Sequence, residues 1–360
     1  MEHYYALILA GGGGTRLWPM SRQNRPKQLL PLIDEHSMFT ISVQRLAPLF
    51  PAERIFVVTG PDYLEALRTD APEIPPENFI VEPYGKDNGP AAGLALTIIH
   101  ERDPEATIAI LTADHHIARQ EKFRDILVVA YEISQDNHIV TLGISPTFPA
   151  TGFGYIQQGE VLRQINGYTC YHSLGFTEKP GLVRATRFVA SGEYSWNSGM
   201  FIWKATQALK EFERQQPAMY AGFLELRPSI GTPDYEKRLA EIWDPMPKIS
   251  IDFAIMEQAE NMAVISVDIG WSDVGSWASL FEVLELDRFG NCTKGQGPES
   301  VMLDTHNTLI YSDRLAVTIG IDDIIVVDTE DVLLICHKEQ AQAVKDIVSD
   351  LRRNDHSKYL

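Results

Sequence analysis

Over the first 150 residues, short runs rich in Val, Ile and Leu alternate with longer segments of helical period. The runs at 5–10, 54–59, 79–81, 107–112 and 139–144 predict strands, and 38–49, 63–69, 89–101 and 122–134 predict helices. Such alternation implies crossover connections, so the fold class is α/β, with a Rossmann-like, mostly parallel sheet covered on both faces. Ligands of open sheets of this kind bind beyond the carboxyl ends of the strands. From about 150 to 290 the pattern is mixed. Residues 152–158, 171–178, 197–204 and 263–269 predict strands, and 182–190, 207–215 and 251–260 predict helices, as if the sheet were extended to wall a cleft. After 288 the apolar pieces shorten to 301–303, 308–311, 315–319, 324–327 and 332–336, recurring every seven to nine residues with Asp, Asn, Ser and Gly between. They predict a small β unit closed by an amphipathic helix at 338–352. The expected domains are therefore 1–287, large and α/β, and 288–360, small and β.

The first strand runs into Gly11-Gly12-Gly13-Gly14-Thr15-Arg16, and Arg22, Arg25 and Lys27 follow closely. Glycines admit positive φ and close approach, so their N–H groups can turn inward onto phosphates, while fixed cations neutralise charge. Together they read as a polyphosphate site. A P-loop is excluded because no glycine here precedes Lys-Ser or Lys-Thr, and the Gly-x-Gly-x-x-Gly dinucleotide fingerprint fails at Arg16 and Leu17.

Composition narrows the partners. A net charge of -18 argues against nucleic acid or an anionic membrane as partner, so anionic ligands must be drawn in by local cations. Cys170, Cys292 and Cys336 form no Cys-x-x-Cys or zinc pattern and read as reduced thiols. With no signal-peptide pattern and no apolar run near 20 residues, a cytoplasmic location is expected.

The stretch from Gly11 to Gln28 resembles the Gly-Gly-x-Gly-Thr-Arg-Leu-x-Pro-x-Ser-Arg-x-x-x-Pro-Lys-Gln start of sugar-1-phosphate nucleotidyltransferases, with Trp18 and Pro26-Lys27-Gln28 most like the mannose-1-phosphate guanylyltransferase branch. Six further segments match in order along residues 5 to 287. Glu82-Pro83-Tyr84-Gly85-Lys86-Asp87-Asn88-Gly89 is similar to the family's base- and ribose-binding segment, departing at Lys86, Asp87, Asn88 and Gly89 in ways that change hydrogen-bond donors. Thr112-Ala113-Asp114-His115 ends a strand, where an aspartate can hold a metal by an oxygen; alone, Asp114 more often reads as a cap or turn residue. Thr151-Gly152-Phe153-Gly154-Tyr155 is similar to the segment whose backbone passes the sugar. Glu178-Lys179-Pro180, Trp196-Asn197-Ser198-Gly199 and Gly270-Trp271-Ser272-Asp273-Val274-Gly275-Ser276-Trp277 complete the set. The helix beginning at Ser250 reads as core packing.

The resemblance implies a reaction of GTP with α-D-mannose 1-phosphate to give GDP-mannose and diphosphate, with Mg²⁺ as cofactor. Arg16, Lys27, Asp114 and Asp273 become the catalytic set, Asp114 and Asp273 the metal ligands. Leu9, Ala10, Gly11, Gly12, Gly13, Gly14, Thr15, Arg16, Lys27, Glu82, Pro83, Asn88 and Asp114 become the nucleotide site. Gly152, Gly154, Tyr155, Glu178, Lys179 and Asn197 become the sugar-phosphate site. It also implies a C-terminal left-handed β-helix, and a homodimer is expected. Larger bifunctional relatives add a cupin-like phosphomannose isomerase domain, which a chain of this length is expected to lack. The same chemistry on another base or sugar, and a non-catalytic sugar-nucleotide sensor, stay open as alternatives.

Overall fold

The computed structural model describes residues 1–354 and 356–360 and divides them into two compact units. The first comprises Met1–Gly11, Val43–Ala113 and Ile117–Trp271, and the second Gly12–Ser42, Asp114–His116 and Ser272–Leu360.

The strands in chain order are β1 (Tyr4–Leu9), β2 (Ile55–Thr59), β3 (Phe79–Val81), β4 (Thr107–Thr112), the two-residue β5 (His116–Ile117), β6 (Ile139–Ile144), β7 (Tyr155–Ile165), β8 (Tyr168–Thr177), β9 (Tyr194–Lys204) and β10 (Met262–Val267). All but β5 form one nine-stranded sheet in the order β3-β2-β1-β4-β9-β6-β10-β8-β7. β1, β2, β3, β4, β6, β7 and β10 run one way, while β8 and β9 run the other. The expected mostly parallel sheet is present. The run Tyr-Tyr-Ala-Leu-Ile-Leu of β1 is apolar throughout because both its faces are covered. Leu7, Phe56 and Ile108 pack into one core with the helix Asn88–Arg102, which is buried from Gly89 to Ile99. On the other face the Tyr4 hydroxyl donates to the Leu127 carbonyl of the helix Gln120–Ser134.

Several elements outrun the pattern. β7 and β8 form a longer hairpin than the apolar runs predict, turned by Asn166 and Gly167 at φ 51° and 82°. An Asn-Gly pair with both φ positive is the preferred two-residue hairpin turn. The helix expected at 251–260 is only Ile251–Ala254, because Ile255 leaves helical geometry at φ −132°, ψ −54° before the single turn Met256–Gln258. Pro217–Leu226 and Tyr235–Trp243 are further helices that the mixed pattern concealed.

In the second unit, after β11 (Trp271–Ser272), come β12 (Cys292–Lys294), β13 (Val301–His306), β14 (Leu309–Tyr311), β15 (Val317–Asp322), β16 (Ile324–Asp328) and β17 (Leu333–His337). β12, β14 and β16 stack in parallel, and β13 pairs with β15 in a separate parallel sheet. From β12 to β16 consecutive pieces therefore alternate between two sheets, which is the path of a β-helix, and β17 then folds back antiparallel on β16. Cys292, Leu309 and Ile325 stand in register, all buried. Asn291, also buried, donates to the Thr305 carbonyl and accepts from the Thr308 amide, tying one coil to the next.

Candidate active site

The candidate side chains fall into two groups, one in each unit. In the second unit Gly12 and Gly14 adopt φ of 91° and 59°. A Cβ on Gly14 would run into the Lys27 Cβ, so the loop lies directly on that lysine and only glycine fits. The Lys27 side chain is buried, and its Nζ donates to Asp114 Oδ2 at 2.8 Å and to the Asp273 backbone carbonyl. Three stretches far apart in sequence thus meet on one ammonium. Burial pushes the Asp114 carboxyl up, but the Lys27 charge, His115 and the Lys27 hydrogen bond outweigh it and hold the group below the usual carboxylate range. Asp273 Oδ1 accepts the Gly275 amide at 3.1 Å, where a larger residue would strike the same carboxylate.

Gly14, Thr15, Arg16, Lys27, Asp114 and Asp273 line one cavity of about 340 Å³. The Arg16 guanidinium has no side-chain partner among the described residues. Arg22 departs from the cationic cradle that the sequence suggests: its guanidinium is committed to Asp331 at 2.7 Å and to the Tyr359 carbonyl at 2.6 Å. As a site for Mg²⁺ the donor set fits. Asp114 and Asp273 bring hard oxygen donors to one cavity, and magnesium commonly takes one or two carboxylates and completes its shell with phosphate oxygens and water. No group of three or more His, Cys, Asp or Glu able to hold a metal occurs among the described residues.

In the first unit, Leu9 and Ala10 end β1 with much of their backbone engaged. The Leu9 carbonyl accepts from Ala113, the Ala10 amide donates to Val58, and the Ala10 carbonyl accepts from Thr59 Oγ1. Beyond them, Glu82 Oε1 stands 4.0 Å from where a Cβ on Gly11 would be. Glu82 is buried, its Oε2 has no hydrogen-bond partner among the described residues, and burial, aided by Asp87, pushes its carboxyl up to about 7 against a backbone bond from Lys86. The residues that depart from the family pattern have structural partners. Lys86 Nζ donates to the carbonyls of Asp244 and Met246, each at 2.6 Å. Asn88 Oδ1 accepts the Ile251 amide at 2.8 Å, leaving its NH₂ for a ligand. A Cβ on Gly89 would meet the Ile249 carbonyl at 2.5 Å. Pro83 is half-buried beside them.

A second cluster in this unit gathers Gly154, Glu178, Lys179 and Asn197. The Asn197 amide donates to the Gly154 carbonyl at 2.8 Å, and a Cβ on Gly154 would strike Glu178 Oε2. The Glu178 side chain is almost wholly buried; its Oε1 accepts from Lys179 Nζ at 2.7 Å, while Oε2 has no partner among the described residues. Exposed Gly152 leads into this cluster, and Phe153 meets the rings of Trp196 and Trp271 edge-on at 5.2 and 5.4 Å. The Tyr155 side chain points away into the core, fully buried, its hydroxyl donating to the Ala150 carbonyl, so only its backbone is available to a ligand.

One residue of this cluster lies in the stretch that the sequence reads as core. Asp252 Oδ1 accepts from Asn197 Nδ2 at 2.8 Å. Burial and then the Glu178 charge push the Asp252 carboxyl up to about 6, against the Asn197 hydrogen bond. Ile251, Ala254, Ile255 and Met256 around it are core as expected, while Phe253 is exposed. The lone acidic residue within an apolar window was the signal available in the sequence.

Comparison with known proteins places the chain in a family. Residues 5–288 match the family model for nucleotidyl transferases, and residues 298–351 match that for the MannoseP isomerase/GMP-like beta-helix domain. The chain is 35% identical to the xanthan biosynthesis protein XanB of Xanthomonas campestris over 98% of its own length and 74% of that protein. It is 36% identical to a mannose-1-phosphate guanylyltransferase of Klebsiella pneumoniae, over 98% of this chain and 75% of that one. A crystal structure from Thermus thermophilus, described as a mannose-1-phosphate geranyltransferase, superposes with a TM-score of 0.87 at 33% identity, covering 97% of this chain and 99% of that one. A tight glycine loop on a buried lysine shared by two aspartates, a large mostly parallel sheet and a β-helix coil thus coincide with similarity over 98% of this chain, and the chain belongs to the nucleotidyl transferase family.

Proposed function

We propose that this protein is a mannose-1-phosphate guanylyltransferase, converting GTP and α-D-mannose 1-phosphate to GDP-mannose and diphosphate. The observation that carries the phosphate chemistry is the cavity in which Lys27 joins Asp114 to the Asp273 backbone while Arg16 stands unpaired. A sugar-phosphate oxygen attacks the α-phosphorus of GTP in line; a new P–O bond forms as the bond to the β-phosphate oxygen breaks, and diphosphate leaves with the electron pair. The attacking oxygen is already anionic, so no general base is needed, and catalysis consists of positioning and charge neutralisation. Arg16, Lys27 and the amides of residues 11–14 hold the triphosphate and the charge that develops on diphosphate. Asp114 and Asp273 would hold Mg²⁺, which when bound supplies Lewis acidity and a template for the phosphates. Glu82, Pro83 and Asn88 line the base and ribose, with Leu9, Ala10 and Thr15 as the flanks of the glycine loop. Glu178 Oε2, buried and unpartnered, is an acceptor for a sugar hydroxyl, and Asn197 and the backbone of 152–155 join it. Lys179 turns to the sugar phosphate, exchanging its neighbour Glu178 for a stronger anion.

We assign residues 1–287 to the transferase domain and 288–360 to the β domain, a division that the two family matches support. No described helix is long and apolar enough to cross a membrane. In this reading the reaction runs in the cytoplasm and the active form is a homodimer, supported by the exposed apolar row Val301, Leu303, Val317 and Ile319 and tested by light scattering. The deciding experiment is diphosphate release from GTP, mannose 1-phosphate and Mg²⁺, run beside Asp273→Ala and a metal-free control. Release that is lost in both controls supports the assignment. Turnover with another nucleotide or sugar phosphate instead moves the specificity, and silence with every pair overturns the assignment.

A further inference from the structure

We propose that Lys345, on the helix Val344–Arg353, is a second free cation of the phosphate cavity and holds the nucleotide's triphosphate and the departing diphosphate. The proposal rests on the reading above and extends it to a residue of the C-terminal helix. Lys345 lines the cavity together with Arg16, Lys27 and Asp114. The three cations are not equivalent. Lys27 is spent on Asp114 and the Asp273 carbonyl, whereas the side chains of Arg16 and Lys345 have no hydrogen-bond or ion-pair partner among the described residues. Two unpaired cations facing one cavity repel each other, and a polyanion between them turns that repulsion into attraction. In a chain of net charge -18, with carboxylates abundant, leaving both without a partner is the unusual choice.

The helix is held so that Lys345 faces this way. Val344 and Val348, one turn apart, are buried against Trp18 in a small core of their own. Lys345 follows Val344 by one residue, about 100° round the helix, which puts it at the edge of the buried stripe. Trp18 itself follows the turn Thr15–Leu17 that carries Arg16, and its Nε1 donates to the Tyr359 carbonyl at 2.7 Å. The same tryptophan therefore fixes the segment bearing Arg16 and the helix bearing Lys345. Trp277 Nε1, donating to the Trp18 carbonyl at 2.9 Å, locks it from the other side.

The test compares the full-length wild type with Lys345→Ala, Lys345→Arg and Lys345→Glu. Forward assays give kcat and the KM for each substrate, and calorimetric titration gives the affinity for inorganic diphosphate with Mg²⁺. Lys345→Ala is expected to raise the KM for GTP and weaken diphosphate binding about tenfold, with the KM for mannose 1-phosphate moving less than about twofold. Lys345→Arg recovers most of the loss, and Lys345→Glu is worse than alanine. Because the side chain is exposed, melting temperature stays within about a degree of wild type, which separates a lost contact from a lost fold. An unchanged GTP KM and unchanged diphosphate affinity in Lys345→Ala overturn the proposal. If the wild type makes no GDP-mannose, the functional assignment fails by itself, and diphosphate titration still decides whether Lys345 holds phosphate.

Discussion

The two groups of site residues handle charge in opposite ways. In the second unit two of the charges are paired in advance: Lys27 holds Asp114, whose carboxyl is kept low, and Arg22 is bound to Asp331. In the first unit the carboxyls of Glu82 and Asp252 are pushed up by burial, to about 7 and about 6, and oxygens of Glu82 and Glu178 stand unpartnered. A carboxylate held in its ionised form suits a metal cation, whose charge does not change with pH. Carboxyls that titrate near neutrality suit hydroxyls and ring nitrogens, which both donate and accept. Under the proposed function, the contrast means that the phosphate cavity is pre-set, whereas the other group is completed by its ligand.

The contrast breaks first at Lys27. Lys27→Met leaves Asp114 without its counter-charge and the Asp273 loop without its tie, and turnover is expected to fall about 10³-fold, with a clear loss of thermal stability. Arg16→Ala removes a cation that the fold does not use, so about a 10²-fold fall in kcat with an unchanged melting curve is expected. A variant within about threefold of wild type would remove Arg16 from the mechanism. On the other side, Asp252→Ala frees the Asn197 amide to rotate and should raise the KM for mannose 1-phosphate about tenfold while leaving that for GTP in place.

The smallest effect sharpens the comparison through pH. Glu82 has its folded pKa raised, so its protonated form is favoured by folding: the benefit is full below the ordinary carboxylate range and is lost as pH rises toward 7. Glu82→Gln should melt with the wild type near about pH 4.5 and be more stable by about 1–3 kcal/mol at about pH 8. Equal melting temperatures at both pH values would show that Glu82 is solvated after all.

Residues whose chemistry is local were legible in the sequence. The glycine loop, Asp114, Asp273, Gly154, Glu178 and Asn197 stand in short motifs, and the structure brings the first three together in one unit and the last three together in the other. What was hidden depends on partners far along the chain. A lysine in a loop ordinarily reads as solvated, and only folding shows Lys27 buried under Gly14. Arg22 reads as a phosphate ligand until Asp331 appears beside it, 309 residues on. The C-terminal pieces showed their seven-to-nine-residue spacing, but up to β16 their stacking partners lie two pieces away, Cys292 on Leu309 and Val301 on Val317, because consecutive pieces enter different sheets, whereas β17 folds back on β16. The Asn166-Gly167 turn was readable and would have lengthened the hairpin.

The bond from Trp18 to the Tyr359 carbonyl has a consequence for how the protein is made. Trp18 leaves the ribosome 341 residues ahead of its partner. Through that interval the glycine loop lacks its brace, so under the proposed function nucleotide binding by the nascent chain should stay weak until translation has passed Tyr359. Truncation ahead of the helix Val344–Arg353 would remove the brace and, under the proposed function, weaken a site whose motif lies far upstream.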